Sequence, residues 1–409
     1  MRAEARRRIL FVSPFPPHAA GRHGGARAIA QLLRRVAAVH DVAVLYLREE
    51  SEGHIDEDLE ALCEWARAVA RPRRERGGRI VRLVRRARFL ASLARGLPIW
   101  AQAVDVPSFH VEVERAVRDW RPDLVQFEYH VMGRYLDAVR DEDVVKVLVF
   151  YETGGDAAGR AYENASALVR GLDRHAWKVY ERRILRRVQC AVVLTESDRV
   201  SIAGRGVDVR IETIPLGVEV PEVPADPLGA EPPAVLFVGN FRHDPNLDAA
   251  LRLAHDIWPH VRGRRPDAVL WLVGESPPEV LTSTAEPDVE VHGSVESVEP
   301  YLASAAVCVA PLRHGGGMRV KVLEALAAGK AVVASPLAAA GLGVQHGRHL
   351  LVATTDGEFA AAILQLLDDA DLRRALATAG RAWAVANADA GSTAAAFESL
   401  YDSLLAGAG

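Results

Sequence analysis

The sequence predicts an α/β protein made of two Rossmann-like, doubly wound domains that face each other across a cleft. Three observations carry this. Short apolar runs alternate with helical stretches along almost the whole chain, which is the pattern of a parallel sheet covered on both faces. The pattern begins twice, since ILFV at 9–12 is echoed by AVLFV at 234–238. Between the two halves, Pro221, Pro224, Pro227, Pro232 and Pro233 crowd a stretch with little periodicity, which reads as a linker. The expected boundaries are a first domain over 1–217, a linker over 218–233 and a second domain over 234–385. A C-terminal helix over 386–409 is expected to pack back on the first domain. No short-period repeat is present.

A chain of 409 residues is long enough for two domains of ordinary size. Hydrophobic residues make up 49% and charged residues 25%, the balance of a soluble globular protein. The formal net charge of −4 gives no global reason to expect a nucleic-acid partner. Positive charge is carried by arginine except at Lys146, Lys178, Lys321 and Lys330. GC-rich codon usage explains the bias, and it makes Lys321 stand out in its glycine-rich setting. Cys63, Cys190 and Cys308 are far apart and show neither metal spacing nor a disulfide framework, which suits a reducing cytoplasm. The basic start MRAEARRR leads into a short apolar run that reaches Pro14, so neither a signal peptide nor a membrane span is expected.

In order along the chain, 9–15 reads as a buried strand, followed by a Pro/Gly loop carrying Gly24 and Gly25 and a helix over 26–39. The glycines lack dinucleotide-fingerprint spacing. A second strand is expected at 41–47, and helical pattern from 55 to 97. Residues 67–95 hold eleven arginines against the single acid Glu75. They read either as a basic amphipathic helix that docks on an anionic membrane surface or as a solvated outer helix. Strands at 124–129 and 146–151 end in Glu128, His130 and Glu152, and strand ends are where such sheets build sites. A charged helix over 156–187 and strands at 190–195 and 209–214 close this half.

In the second half, strands are expected at 234–238, 268–273, 289–292, 306–312, 331–334 and 350–353, and a helix over 247–261. The stretch AVCVAPLRHGGGMRVKVLEALAAGKAVVA at 306–334 is a strand, a glycine loop, a helix over 318–328 and a strand. Glycines between a strand end and a helix start favour phosphate, because free N–H groups and the positive helix end meet there. His314, Gly315, Gly316, Gly317 and Met318 can offer amides or side chains, and Arg319 and Lys321 offer charge. Cations are disfavoured at a helix N-terminus, so their placement wants an anion. Asn240, Arg242 and His243 follow the first strand of this half and face the same place. Glu324, one turn into the helix, can accept bonds from two hydroxyls.

These segments resemble the group 1, or family 4, glycosyltransferases of the GT-B fold. The resemblance rests on VLFVGNFRHDPNLDAA, RRPDAVLWLVGE, VEVHGSVESVEPYLASAAVCVAPL and PLRHGGGMRVKVLEALAAGKAVVASPLAAAGL, with weaker support from ILFVSPFPP and IPLGVEV. It implies transfer of a sugar from a nucleotide-diphosphate donor to an acceptor, usually with retention at the anomeric carbon, with no metal or other cofactor. It makes the first domain the acceptor side and the second the nucleotide-sugar side. It implies that Glu324 is the second glutamate of the E-x7-E motif and binds the donor ribose, while the glycine loop serves the diphosphate. Gly316 stands where the motif has its first glutamate. The family's catalytic-site histidine falls on Glu128, with His130 two residues on. The expected catalytic residues are Glu128, His130, Arg319 and Lys321. The expected donor-binding residues are Gly24, Gly25, Asn240, Arg242, His243, His314, Gly315, Gly316, Gly317, Met318 and Glu324. The partners are a nucleotide sugar and an unidentified acceptor, in the cytoplasm or at the inner membrane face. The competing classes are a sugar-nucleotide epimerase, with His130 or His243 moving protons, and a non-catalytic donor-binding protein.

Overall fold

The computed structural model describes residues 6–19, 24–50, 52–71, 91–154, 167–315 and 320–407. The first sheet contains β1 (Arg8–Ser13), β2 (Asp41–Arg48), β3 (Trp65–Ala70), β4 (Leu124–Glu128), β5 (Val145–Phe150), β6 (Cys190–Val193) and β7 (Arg210–Thr213). Their order across the sheet is β3-β2-β1-β4-β5-β6-β7. The second sheet contains β8 (Ala234–Val238), β9 (Val269–Val273), β10 (Val289–His292), β11 (Val307–Ala310), β12 (Ala331–Ala334) and β13 (Leu351–Val352), in the order β10-β9-β8-β11-β12-β13. Every pairing in both sheets is parallel. Continuous burial of the central strands, such as β4 and β5, explains their unbroken apolar runs: helices cover both faces.

Each sheet reverses its winding direction once. In the first, the chain moves outward from β1 through β3 and returns on the other side of β1 with β4. In the second the same happens between β8 and β11. At such a switch point, consecutive strand-end loops turn opposite ways and leave a crevice at the C-terminal ends of the strands. The switch-point loops are those after β1 and β4, and those after β8 and β11.

The helices used below are α1 (Gly24–Val39), α2 (Pro107–Trp120), α3 (Ala167–Leu185), α4 (Asp244–Arg252), α5 (Val320–Ala327), α6 (Asp356–Asp368), α7 (Ala370–Asn387) and α8 (Ala390–Ala406). α4 continues through a wide turn at Leu253–Ile257 into Trp258–Arg262, so the helix expected over 247–261 is one rod with a π segment.

The helical reading of 55–97 is corrected. Trp65–Ala70 is a strand at the edge of the first sheet, in register with β2. Its alanines favour a helix by propensity, and pairing with β2 overrides that preference. Arg67 suits an edge position. It bonds Glu112 of α2 at 2.8 Å and lies over the Trp65 ring at 5.2 Å. The basic stretch over 80–90 and the start of the helix expected from 156 lie outside the described residues. Among the described residues, no helix is long and apolar enough to cross a membrane.

Residues 218–233 are less a tether than a strap along the second domain. Ala225 N–H donates to the Ala328 carbonyl at 2.9 Å, and Arg381 bonds the Pro221 carbonyl. The buried Lys330 ammonium donates to the carbonyls of Ala303 and Ala305 at 2.8 Å each, and to that of Asp226. The chain crosses between domains a second time after α7, which runs to Asn387, past the expected boundary at 385. The two crossings pair: Val218 N–H donates to Ala388 O at 2.8 Å and Ala390 N–H to Val218 O at 3.0 Å. Gly217 is required there, because a Cβ would sit 2.6 Å from the Ala390 Cα. α8 then lies on the first domain, where Ala394, Phe397, Leu400 and Tyr401 join its core.

Candidate functional site

The C-terminal strand ends of both sheets line one cleft with a cavity volume of about 2030 Å³. From the first domain it takes Phe15 after β1, Tyr129 after β4, and Tyr151 and Glu152 after β5, with Gly24, Gly25 and Arg27 from α1. From the second it takes Asn240, Arg242 and His243 after β8, His314 and Gly315 after β11, and Lys321 and Glu324 from α5. The domains meet at the starts of α1 and α5: a Cβ on Gly24 would lie 2.5 Å from Val320 Cγ2.

On the second-domain rim the loops are tied together. Arg242 N–H donates to Asn240 Oδ1 at 2.9 Å, and Asn246 Nδ2 donates to Asn240 O at 3.0 Å. Lys321 Nζ donates to Asn246 Oδ1 at 2.6 Å and lies 4.4 Å from the Phe237 ring centroid. The ammonium is therefore held by an amide and an aromatic face, at the mouth of the sheet. Arg313 Nε donates to Asp248 Oδ2 at 3.0 Å, which holds the Asp248 carboxyl below the usual range. His314 Nε2 pairs with Asp244 Oδ2 at 3.1 Å. The glycine loop is thus tethered to the first turns of α4. Gly315 turns with φ +103°, a conformation glycine adopts without strain. Gly316, Gly317, Met318 and Arg319 lie outside the described residues.

Glu324 is paired across the cleft. Arg27 Nε donates to one carboxylate oxygen at 3.0 Å and an Arg27 Nη to the other at 3.1 Å. This fork joins α1 of the first domain to α5 of the second. Burial pushes the Glu324 carboxyl up and the Arg27 charge pulls it back. Sequence offered no signal for this pair, whose members are 297 positions apart.

Glu128 and His130, expected as catalytic residues, do not line the cleft, and both side chains have zero exposure. Around the end of β4, side chains alternate sides, so the residue between them, Tyr129, faces the cleft instead. Glu128 sits in a polar file behind the wall. Tyr401 Oη donates to Gln126 Oε1 at 2.6 Å, Gln126 Nε2 to Glu128 Oε1 at 2.7 Å, and Tyr151 Oη to Glu128 Oε2 at 2.8 Å. The file runs from the C-terminal helix to a residue of the cleft. His130 is packed among Trp177 at 4.7 Å and Phe150 and Trp100 at 5.5 Å each, between ring centroids.

Burial raises the Glu128 carboxyl from its ordinary 4.5 to about 7, against the opposing pull of the two donors. The folded state therefore binds this proton more tightly than the unfolded chain. The contribution of this group to stability is fully present below about pH 4.5 and is lost as the pH rises through about 7. Glu128→Gln is expected to remove that loss, which is on the order of 3 kcal/mol between about pH 5 and pH 8. Urea unfolding midpoints at the two pH values check it; equal pH dependence in both proteins would place the ionisation elsewhere.

Residues 232–369 match the family described as Glycosyl transferases group 1. An uncharacterised 44.6 kDa protein in the cps region of Klebsiella pneumoniae is 24% identical over 140 residues. That match covers 32% of this chain and 36% of that protein. Among solved structures, the sucrose-phosphate synthase of Thermosynechococcus elongatus has a TM-score of 0.73 at 18% identity, covering 98% of this chain and all of that one. Anabaena HepE, solved in complex with UDP and glucose, has a TM-score of 0.69 at 13% identity, covering 97% of this chain and all of that one. These two likenesses fix the fold along the whole length as GT-B.

Proposed function

We propose that this chain, a group 1 glycosyltransferase by its second domain, transfers a sugar from a nucleoside-diphosphate donor to a hydroxyl of an acceptor held by the first domain, with retention at the anomeric carbon. The observation that carries this reading is the cleft itself. Two switch points, one per domain, open into one cavity, and Lys321 and Glu324 of the matched region line it. A cleft between two such domains holds donor and acceptor together and shields the reacting bond from water.

Each residue then has a task. The Glu324 carboxylate takes the donor ribose hydroxyls in place of Arg27. Lys321, the glycine-loop amides and Arg319 meet the charge that grows on the diphosphate as the bond from its oxygen to the sugar carbon breaks. Asn240, Arg242 and His243 close the phosphate side from the facing loop. The protein's own donors and cations supply this stabilisation, so the reading calls for no metal. The HepE complexes with UDP and UDP-glucose make a uridine donor the first to try. Action at the cytoplasmic side, with peripheral contact to anionic lipid through 67–95, belongs to the same proposal.

Incubation with a panel of nucleotide sugars, with and without sugar acceptors, tests it. Nucleoside diphosphate release that depends on acceptor supports transfer. An epimerised donor formed without acceptor would replace the reading with the epimerase, and donor binding without turnover or hydrolysis with the binding protein.

The Arg27 fork adds an expectation. Nucleotide must exchange a guanidinium for ribose hydroxyls before it can occupy Glu324, and a partly exposed pair of this kind, each side chain about one quarter exposed, is worth about 1 kcal/mol. Arg27→Gln is expected to tighten nucleoside diphosphate binding roughly fivefold in calorimetry. Weaker binding would mean that Arg27 moves onto the donor rather than competing with it.

A further inference from the structure

The first-domain side of the cleft carries a feature that neither the glycine loop nor Glu324 explains. Tyr129 has φ +68° and ψ 134°, a backbone state that a side chain with a Cβ rarely adopts. Strain of this kind persists only where the surroundings enforce it, and it gathers at sites that hold ligands. Tyr129 is the first residue after β4, at the switch point of its sheet, and it is 8% exposed with that exposure in the cleft. Its position is over-determined. It stacks on Tyr151 at 4.3 Å, and the edges of Phe15 at 5.1 Å and Trp100 at 5.9 Å pack against it. Its hydroxyl lies so close to α1 that a Cβ on Gly25 would come within 2.0 Å of the oxygen. The Tyr129 hydroxyl thus requires glycine at position 25.

We propose that Phe15, Trp100, Tyr129 and Tyr151 form a subsite for the pyranose ring of a carbohydrate acceptor. The proposal rests on the transferase reading for its chemistry, since the acceptor must present a hydroxyl beside the donor. Two properties of the wall select a sugar. Its aromatic surfaces suit the C–H face of a pyranose, and the Tyr129 hydroxyl lies at its edge, against the start of α1. Around the wall the lining turns polar and charged, with Arg27, Gln31, Arg34 and Glu152. Such a rim can satisfy ring hydroxyls. Behind the wall, Glu128 holds the Tyr151 hydroxyl and Gln126 links that carboxyl to Tyr401 of α8, so the C-terminal helix buttresses the subsite. Tyr129 and Trp100 are ligand-contacting residues in this proposal, and Glu128 is a positioning residue.

Saturation-transfer NMR with methyl glycosides of glucose, galactose, mannose and N-acetylglucosamine tests it on the full chain, with calorimetry of uridine, guanosine and adenosine diphosphates in parallel. At least one glycoside is expected to receive saturation at its ring protons from the wild type. Trp100→Ala is expected to abolish the signal and Tyr129→Phe to lower it at least about threefold, both without changing nucleotide affinity by more than about twofold. Far-UV spectra and melting curves of the two variants separate lost binding from lost fold, and Tyr129→Phe keeps the ring should Trp100→Ala unfold. Nucleotide binding with no glycoside signal, or a signal that survives both substitutions, overturns the subsite alone. Failure of every nucleoside diphosphate to bind overturns the donor reading beneath it.

Discussion

Replacing Glu324 with alanine is expected to weaken nucleoside diphosphate binding by about 100-fold, read by titration calorimetry. A carboxylate that accepts two ribose hydroxyls makes two charge-assisted bonds, each worth about 1.5–3 kcal/mol in a partly dry setting. Against that gain stands the cost of releasing Arg27, whose fork occupies both oxygens. Because Arg27 and Glu324 are each about one quarter exposed, that cost is small, near 1 kcal/mol. The balance leaves about 3 kcal/mol to lose. Losing the carboxylate also removes the acceptor of the Arg27 fork. The two contributions separate with a dideoxyribose analogue. Wild type is expected to bind it about as weakly as Glu324→Ala binds the normal nucleotide, and the variant is expected not to distinguish the two. A variant that still binds nucleotide as wild type does would remove Glu324 from the ribose.

The two sheets were legible because their central strands are buried on both faces and so read as unbroken apolar runs. The strand that escaped is β3, WARAVA, whose alanines and arginine suit a helix by local preference. Only its neighbour β2 makes it a strand, and such pairing between distant segments leaves no local trace. The strap over 218–233 was visible as a proline cluster. That it is pinned by Arg381 and Lys330 was not, since both reach backbone carbonyls, which carry no sequence identity.

The site was legible in proportion to how local its chemistry is. The glycine loop and Glu324 lie within one βαβ unit, and the structure puts Gly315, Lys321 and Glu324 on the cleft, as it does Asn240, Arg242, His243, Gly24 and Gly25. Glu128 and His130 miss the cleft by one position each. Glu128 and His130 carry chemistry that sequence reading favours, yet the turn after β4 sends both inward and Tyr129 outward. A backbone with φ +68° at a tyrosine cannot be anticipated from residue type, because the neighbours that enforce it come from four other segments. Arg27 was missed for the same reason: its meaning lies in a partner on the other domain.

Lys321→Met is the second large effect, and it is expected to lower kcat by about 100- to 1000-fold while changing the donor KM far less. The leaving diphosphate gains charge only as the bond to the sugar breaks, so a cation fixed in advance acts on the transition state more than on the bound donor. Lys321 is fixed in advance. Asn246 holds its ammonium at 2.6 Å and the Phe237 ring flanks it at 4.4 Å. Among the described residues of the loop, Arg313 is committed to Asp248 and His314 lies beside Asp244. Asn246→Ala is therefore expected to give a smaller loss of about tenfold, because the ammonium stays but its direction is no longer fixed. Steady-state rates with the active donor read both variants, and donor hydrolysis in water serves where the acceptor is unidentified. A Lys321→Met enzyme with unchanged kcat and a raised KM would make the lysine a ground-state phosphate contact, and the developing charge would then fall to the glycine-loop amides.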